Sequence, residues 1–216
     1  MKYQLVVFDW DGTLLDSAGA IARAIQASCR DLGLDVPSDA QARHVIGLGL
    51  SDAMRHAVPS LPPERVPEMV ERYRHHYLSS DHQLVLFPGV PEMLARLQAA
   101  GHILAVATGK SRLGLDRAFE HSGLRPLFQA SRCADECHSK PHPQMLDELM
   151  AEFGVAAEAT VMIGDTSHDL LMAANAGVDS LAVTYGAHPH AHLLDHRPLA
   201  CLHNVAELDQ WLKTCA

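Results

Sequence analysis

The chain has 216 residues, 48% of them hydrophobic, and a formal net charge of −9 at pH 7. That is enough apolar material for a sizeable core, while the acidic balance and the lack of any basic run argue against nucleic acid as a partner. No stretch approaches the ~20 apolar residues of a membrane helix, and the N-terminal apolar run meets acids at position 9, unlike a secretory leader. Five cysteines (Cys29, Cys133, Cys137, Cys201 and Cys215) are odd in number and irregularly spaced. They suit reduced thiols, so a cytoplasmic location is expected. Cys133, Cys137 and His138 lack the spacing of common zinc pairs and have no second pair to complete a site.

Taken in chain order, residues 4–8 read as a buried strand that runs straight into Asp9 and Asp11. Residues 16–82 then read as helical. Ala18, Ile21, Ala22, Ile25, Cys29 and Leu32 mark one helix face, which ends at Gly33. Val66, Met69, Val70, Tyr73 and Tyr77 mark another, and Ser38 and Ser51 are candidate N-caps. From residue 85 onward, strand and helix alternate. Val90, Met93, Leu94 and Leu97 form a helix face stopping at Gly101, followed by the apolar run 103–107 and a weaker one near 128–131. Leu146, Leu149, Met150 and Phe153 form the next helix face, with Pro143 in its first turn and Gly154 at its end. Short apolar runs follow at 160–163, 180–183 and 199–202. The pattern predicts an α/β fold: a Rossmann-like parallel sheet core at 1–15 and 83–216, with a helical insertion at 16–82.

Ligands of open parallel sheets bind beyond the carboxyl ends of the strands. Those ends carry Asp9 and Asp11, then Thr108, Gly109 and Lys110, then Asp165 and, one turn on, Asp169. Lys140 precedes Pro141 and so sits on a loop. Clustered carboxylates repel one another and are costly to bury. A hard cation such as Mg2+ resolves the conflict and leaves room for phosphate oxygens. Only four lysines occur in the chain, and two of them, Lys110 and Lys140, flank this group.

Asp9-Trp10-Asp11-Gly12-Thr13, Thr108-Gly109, Lys140-Pro141 and Gly164-Asp165-Thr166-Ser167-His168-Asp169 resemble, in order, the four motifs of the haloacid dehalogenase superfamily. The insertion after the first motif resembles the helical cap of the branch that contains phosphoglycolate phosphatase and β-phosphoglucomutase. The resemblance implies a Mg2+-dependent phosphatase of small phosphorylated metabolites. Asp9 would be the nucleophile, ionised at an ordinary carboxylate pKa, and Asp11 the general acid and base, brought to the substrate by a turn at Gly12. Thr108, Gly109 and Lys140 would bind the phosphoryl group. The metal would be held by Asp9, the backbone carbonyl of Asp11, Asp165 and Asp169.

Within that branch, Asp11 separates the chain from the true dehalogenases, where this acid is replaced. Residues 16–82 contain no lysine, against the Schiff-base chemistry of phosphonoacetaldehyde hydrolases. A phosphohexomutase or an inorganic pyrophosphatase is the alternative enzyme, and a non-catalytic phosphate-binding regulator the alternative class. Phosphoglycolate leads the candidate substrates, ahead of pyrophosphate, sugar phosphates and nucleotides. Arg43, in "ARHVIGLGL", is a candidate clamp for a substrate carboxylate or second phosphate. Lys110 points to substrate or solvent, and Arg112 is a candidate for the cleft rim. "YRHHYL" at 73–78 reads as a solvated face around two tyrosines, and "GAHPHAHLLDH" at 186–196 as a surface loop.

Overall fold

A computed structural model describes residues 2–79 and 81–215. Among these, β1 (Leu5–Phe8), β2 (Ile103–Thr108), β3 (Ala130–Cys133), β4 (Thr160–Gly164), β5 (Asp179–Val183) and β6 (Ala200–Leu202) form one sheet. Every pairing is parallel and the order is β3-β2-β1-β4-β5-β6. The order reverses at β1, between β2 and β4, which is where an open α/β sheet forms its ligand crevice.

The two-residue period of the strands sorts side chains onto two cores. Val6 and Phe8 join Leu104, Val106, Ile163 and Val183 on one face. That face is covered by α5 (Val90–Ala99), α6 (Arg112–Ser122) and α10 (Val205–Cys215). Leu5 and Val7 join Ala105 and Met162 on the other, under α7 (Gln144–Phe153) and α8 (Ser167–Asn175). All four β1 side chains are fully buried, each worth roughly 1.5–3 kcal/mol against exposure. This double burial explains why β1 reads as an unbroken apolar run.

Between β1 and β2 the chain builds α1 (Ala18–Asp31), α2 (Asp39–His44), α3 (Leu50–Ala57) and α4 (Val66–Leu78). These helices share a separate hydrophobic cluster centred on Ile25, Cys29, Met54 and Met69, each fully buried. The chain enters and leaves this unit side by side. Asp16 N–H donates to the Val85 carbonyl at 3.0 Å, Phe87 N–H to the Leu14 carbonyl at 3.0 Å, and Leu15 bridges Leu86 antiparallel.

Several boundaries differ from expectation. The edge strand expected near 128–131 is β3, two residues later. Gln129 spends its backbone N–H and side-chain oxygen on Leu104 before the strand begins, and Ser131 and Arg132 break the apolar pattern. Ser38 caps α2 through a capping box with Gln41, but Ser51 lies inside α3. The cap of α3 is Gly49, whose N–H is held by Ser139 Oγ of the core at 2.7 Å. Pro143 stands one residue before α7 as its N-cap, rather than inside the helix.

Met69 is the centre of the cluster shared by α1–α4. Met69→Ala is expected to cost about 2–5 kcal/mol through lost burial and a residual cavity. Urea unfolding followed by far-UV circular dichroism measures it; a loss below about 1 kcal/mol would show that these helices do not depend on the cluster.

Candidate active site

In-register pairing sets Phe8 opposite both Val106 and Ile163. Asp9 follows one residue after this pairing and Thr108 and Asp165 two residues after it, so all three leave the sheet at its carboxyl edge within one residue of the same level. α8 starts directly after β4, and its capping box folds Asp169 back: its Oδ2 accepts from Thr166 N–H at 3.0 Å and Thr166 Oγ1 at 2.7 Å. Asp9, Asp165 and Asp169 are all buried, and each offers a carboxylate oxygen within 4.8 Å of the others.

Lys140 reaches into this group from its loop. Its Nζ donates to Asp9 Oδ1 at 2.7 Å and Asp169 Oδ1 at 2.6 Å. Burial works to lower its pKa, but the Asp169 and Asp9 charges prevail and hold it above the ordinary lysine value. Asp165 accepts from Thr13 Oγ1 at 2.8 Å and Ala187 N–H at 2.7 Å. Burial, then the charges of Asp9 and Asp169, still push its pKa well up. Of the carboxylate oxygens of these three acids, Asp9 Oδ2 is the one buried without a hydrogen-bond partner. Burial pushes the Asp9 pKa up to about 7 despite Lys140, above the ordinary carboxylate value expected from sequence. Three carboxylates against one ammonium leave a negative excess out of water, which is the donor set a hard divalent cation fits.

Asp11 stands apart from that cluster. Trp10 goes into the core, edge-on to Phe119 at 5.1 Å, while Asp9 and Asp11 both line one cavity. Gly12 turns the chain at φ +81°, and a side chain there would collide with the Asp165 carboxylate. Asp11 Oδ1 accepts from Ser17 Oγ at 2.6 Å and its Oδ2 pairs with Lys110 Nζ at 2.9 Å. Lys110 also donates to Tyr77 Oη of α4 at 3.1 Å. It lines the cavity and, through these two contacts, ties Asp11 to the helical unit. Thr108 is buried at the end of β2, its Oγ1 accepting Lys110 N–H at 3.2 Å.

The helical unit meets the core through backbone groups. The His44 carbonyl accepts from His168 Nε2 at 2.9 Å and His188 Nε2 at 3.1 Å. The loop 47–48 lies against Gly109, where a Cβ would come within 2.5 Å of the Leu48 carbonyl oxygen and 2.6 Å of the Gly47 one. Between unit and core lies a cavity of about 1070 Å3, lined by Asp9, Asp11, Thr108, Gly109 and Lys110 at its chemical end. Tyr73 and Tyr77 line it too, stacked at 5.7 Å, while Arg74 and His75 of the same run are exposed.

The candidate clamp Arg43 and the candidate rim residue Arg112 are engaged elsewhere. Arg43 pairs with Asp39 at 2.8 Å on α2, away from the cavity lining. Arg112 is bound to Glu136 at 2.8 Å and to Ser131. The tract 186–196, expected as a surface loop, is partly interior. It passes the ends of β4 and β5, delivers Ala187 N–H to Asp165, and buries His188 flat against His44 at 5.0 Å. Its short helix α9 (His190–Leu194) follows. Thr13, Ser17 and Ala187 were missed as supports of the acids; Thr13 and Ser17 sit inside the opening motif run, but nothing local in the sequence marks Ala187.

The model of the haloacid dehalogenase-like hydrolase family matches residues 6–183, spanning every acid of this site. The chain belongs to the haloacid dehalogenase-like hydrolase family. It is 34% identical over 192 residues to a phosphoglycolate phosphatase of Vibrio cholerae, covering 85% of each chain. It is 32% identical over 216 residues to a 5′-nucleotidase of Pseudomonas aeruginosa, covering 99% of this chain and 97% of that one. The crystal structure of a predicted phosphoglycolate phosphatase from Haemophilus somnus superposes with a TM-score of 0.87 at 25% identity, over 98% and 99% of the two chains. The haloacid dehalogenase-like fold thus extends over the helical unit as well as the sheet.

Two outcomes follow from the junction. Burial, then neighbouring His168, lower the His188 pKa to about 4. Between pH 6.5 and 4 the unfolded chain takes up a proton that the folded chain refuses, so stability is lost as pH falls through that window. The melting temperature of the wild type should drop more steeply there than that of His188→Gln; equal slopes would remove His188 from the acid sensitivity. Gly109→Ala should wedge the 47–48 loop off the core and lower hydrolytic kcat/KM about 10–100-fold through misalignment. Steady-state kinetics beside a thermal melt tests this, an unchanged kcat/KM counting against the contact.

Proposed function

We propose that this chain, a phosphatase of the haloacid dehalogenase family, hydrolyses small phosphomonoesters through a phosphoryl group held transiently on Asp9. The observation that carries the reading is Asp9 itself. It lines the cavity, Lys140 fixes Oδ1, and Oδ2 is buried without a partner. A carboxylate oxygen so held is pre-positioned for in-line attack.

Asp9 Oδ2 forms the new bond to phosphorus while the bond to the ester oxygen breaks. Asp11 gives its proton to the departing alkoxide, then takes one from the water that attacks the aspartyl phosphate, returning Asp9 and releasing phosphate. Ser17 donates to Asp11 Oδ1 and Lys110 pairs with Oδ2; the Lys110 contact opens when Oδ2 carries the proton that goes to the leaving group. Thr108 and Lys140 bind the phosphoryl oxygens, with the Gly109 backbone beside them. Asp9, Asp165, Asp169 and the Asp11 backbone carbonyl would hold Mg2+, Asp169 directly or through water. When bound, it neutralises carboxylate and phosphoryl charge that one ammonium leaves unbalanced.

Residues 16–82 serve as the cap and residues 1–15 with 83–216 as the catalytic core. The cap encloses the leaving group and excludes water during phosphoryl transfer. The named relatives differ in leaving group, glycolate against nucleoside, which supports a division of labour between shared chemistry and a cap that selects.

Asp9→Asn and Asp11→Asn separate the two acids. Losing general acid–base help should cost ~10²–10⁴-fold in turnover, and losing the nucleophile more. With Mg2+ and an activated donor whose leaving group needs no proton, Asp11→Asn should accumulate a phosphoryl adduct and Asp9→Asn should not. Acid quench and intact-mass measurement reads both. An adduct on Asp9→Asn with retained turnover would mean that the nucleophile lies elsewhere.

A further inference from the structure

We propose that the leaving group of the natural substrate is bulky, uncharged and largely apolar, and not a short carboxylated one. This rests on the phosphatase reading and names its substrate class. Three observations carry it. The first is size: the cavity that begins at Asp9 and Asp11 holds about 1070 Å3, the upper end of the range that encloses drug-sized molecules. A two-carbon leaving group leaves most of it unfilled.

The second is the wall. Leu48, Leu50 and Tyr73 face the cavity from the cap, and Leu84 and Leu86 from the core side, all half-buried. Six large aliphatic side chains among the described residues are exposed, and three of them, Leu78, Val85 and Leu113, line this same cavity, at 41%, 66% and 73% exposure. Apolar surface gathered around one opening marks a place where an apolar body is taken out of water.

The third is charge. A carboxylate or second phosphate on the leaving group needs a cation to meet it. Lys110 is held by Asp11 and Tyr77, Arg117 by Asp81 at 2.8 Å, and Arg74 lies 4.0 Å from Glu71. His121 and His138 also line the cavity, as exposed side chains. Arg43, the clamp expected from sequence, is on α2 with Asp39. The Arg117 pair is neutral as a whole, yet its Nε is buried without a partner. It suits a neutral acceptor, such as a carbonyl or hydroxyl oxygen, on the apolar body.

The test uses the full chain with Mg2+ and alkyl phosphates, which keep leaving-group basicity constant while size changes. Propyl phosphate, 3-phenylpropyl phosphate, octyl phosphate and phosphoglycolate are compared by phosphate release. The expected result is a kcat/KM at least about tenfold higher for the two large esters than for propyl phosphate, as burial of extra apolar groups gives, with phosphoglycolate below both. Leu113→Asp, at an exposed position, should shrink that ratio, and Leu78→Ser is the second variant should the first fold poorly. Turnover with a flat ranking, with phosphoglycolate leading, or with a ratio that neither variant changes overturns this inference and leaves the phosphatase reading intact. No phosphate from any of the four, nor from acetyl phosphate, overturns the phosphatase reading itself.

Discussion

Lys140 carries its ammonium group into the interior between Asp9 and Asp169, at 2.7 and 2.6 Å, with all three side chains shut off from water. Buried charges of this kind are tolerated only when paired and hydrogen-bonded; removing one partner of such a pair typically costs about 3–5 kcal/mol. The strand end, the turn at Gly12 and the capping box of α8 are all arranged around this contact. By occupying one oxygen of Asp9, it also leaves the other, Oδ2, without a partner. The order of this end of the sheet therefore depends on one ammonium group.

The cap is attached differently. Its polar contacts with the core run through the His44 carbonyl, the Gly49 N–H, the Lys110–Tyr77 bond and the Arg117–Asp81 pair. These are directional, individually modest interactions, each worth roughly 0.5–1.5 kcal/mol, around a cavity instead of a packed core. Its own hydrophobic cluster is built of residues from the helical unit, with Ala187 the one core residue packed into it. Such a junction can open for exchange without unfolding either side.

The sheet, the helices and the gathering of acids at the strand ends were legible because each is a local signal: apolar runs buried on two faces, helical spacing closed by glycine, and motifs in fixed order at strand ends. What was not legible depends on where the chain travels afterwards. Arg43 has the right chemistry for an anion, but Asp39 lies one helical turn away on the same face and takes it. "GAHPHAHLLDH" is polar enough to pass for a solvent loop, yet its backbone N–H at Ala187 is needed by Asp165. Lys110 was ambiguous because its partners, Asp11 and Tyr77, come from segments 99 and 33 positions away in the chain. The edge strand β3 was blurred because an edge needs no apolar alternation.

The paired crossing of residues 14–16 with 85–87 has a consequence for how this architecture can diverge. The two ends of the insertion are clasped to each other before the insertion begins, so the core experiences it as a loop that is already closed. The entropy of closing a loop grows only with the logarithm of its length. A larger, smaller or differently folded segment can therefore hang from the same clasp while the strands keep their register. The helical unit and the sheet are thereby free to vary as separate parts, the acids at the strand ends keeping their places whatever hangs from the clasp.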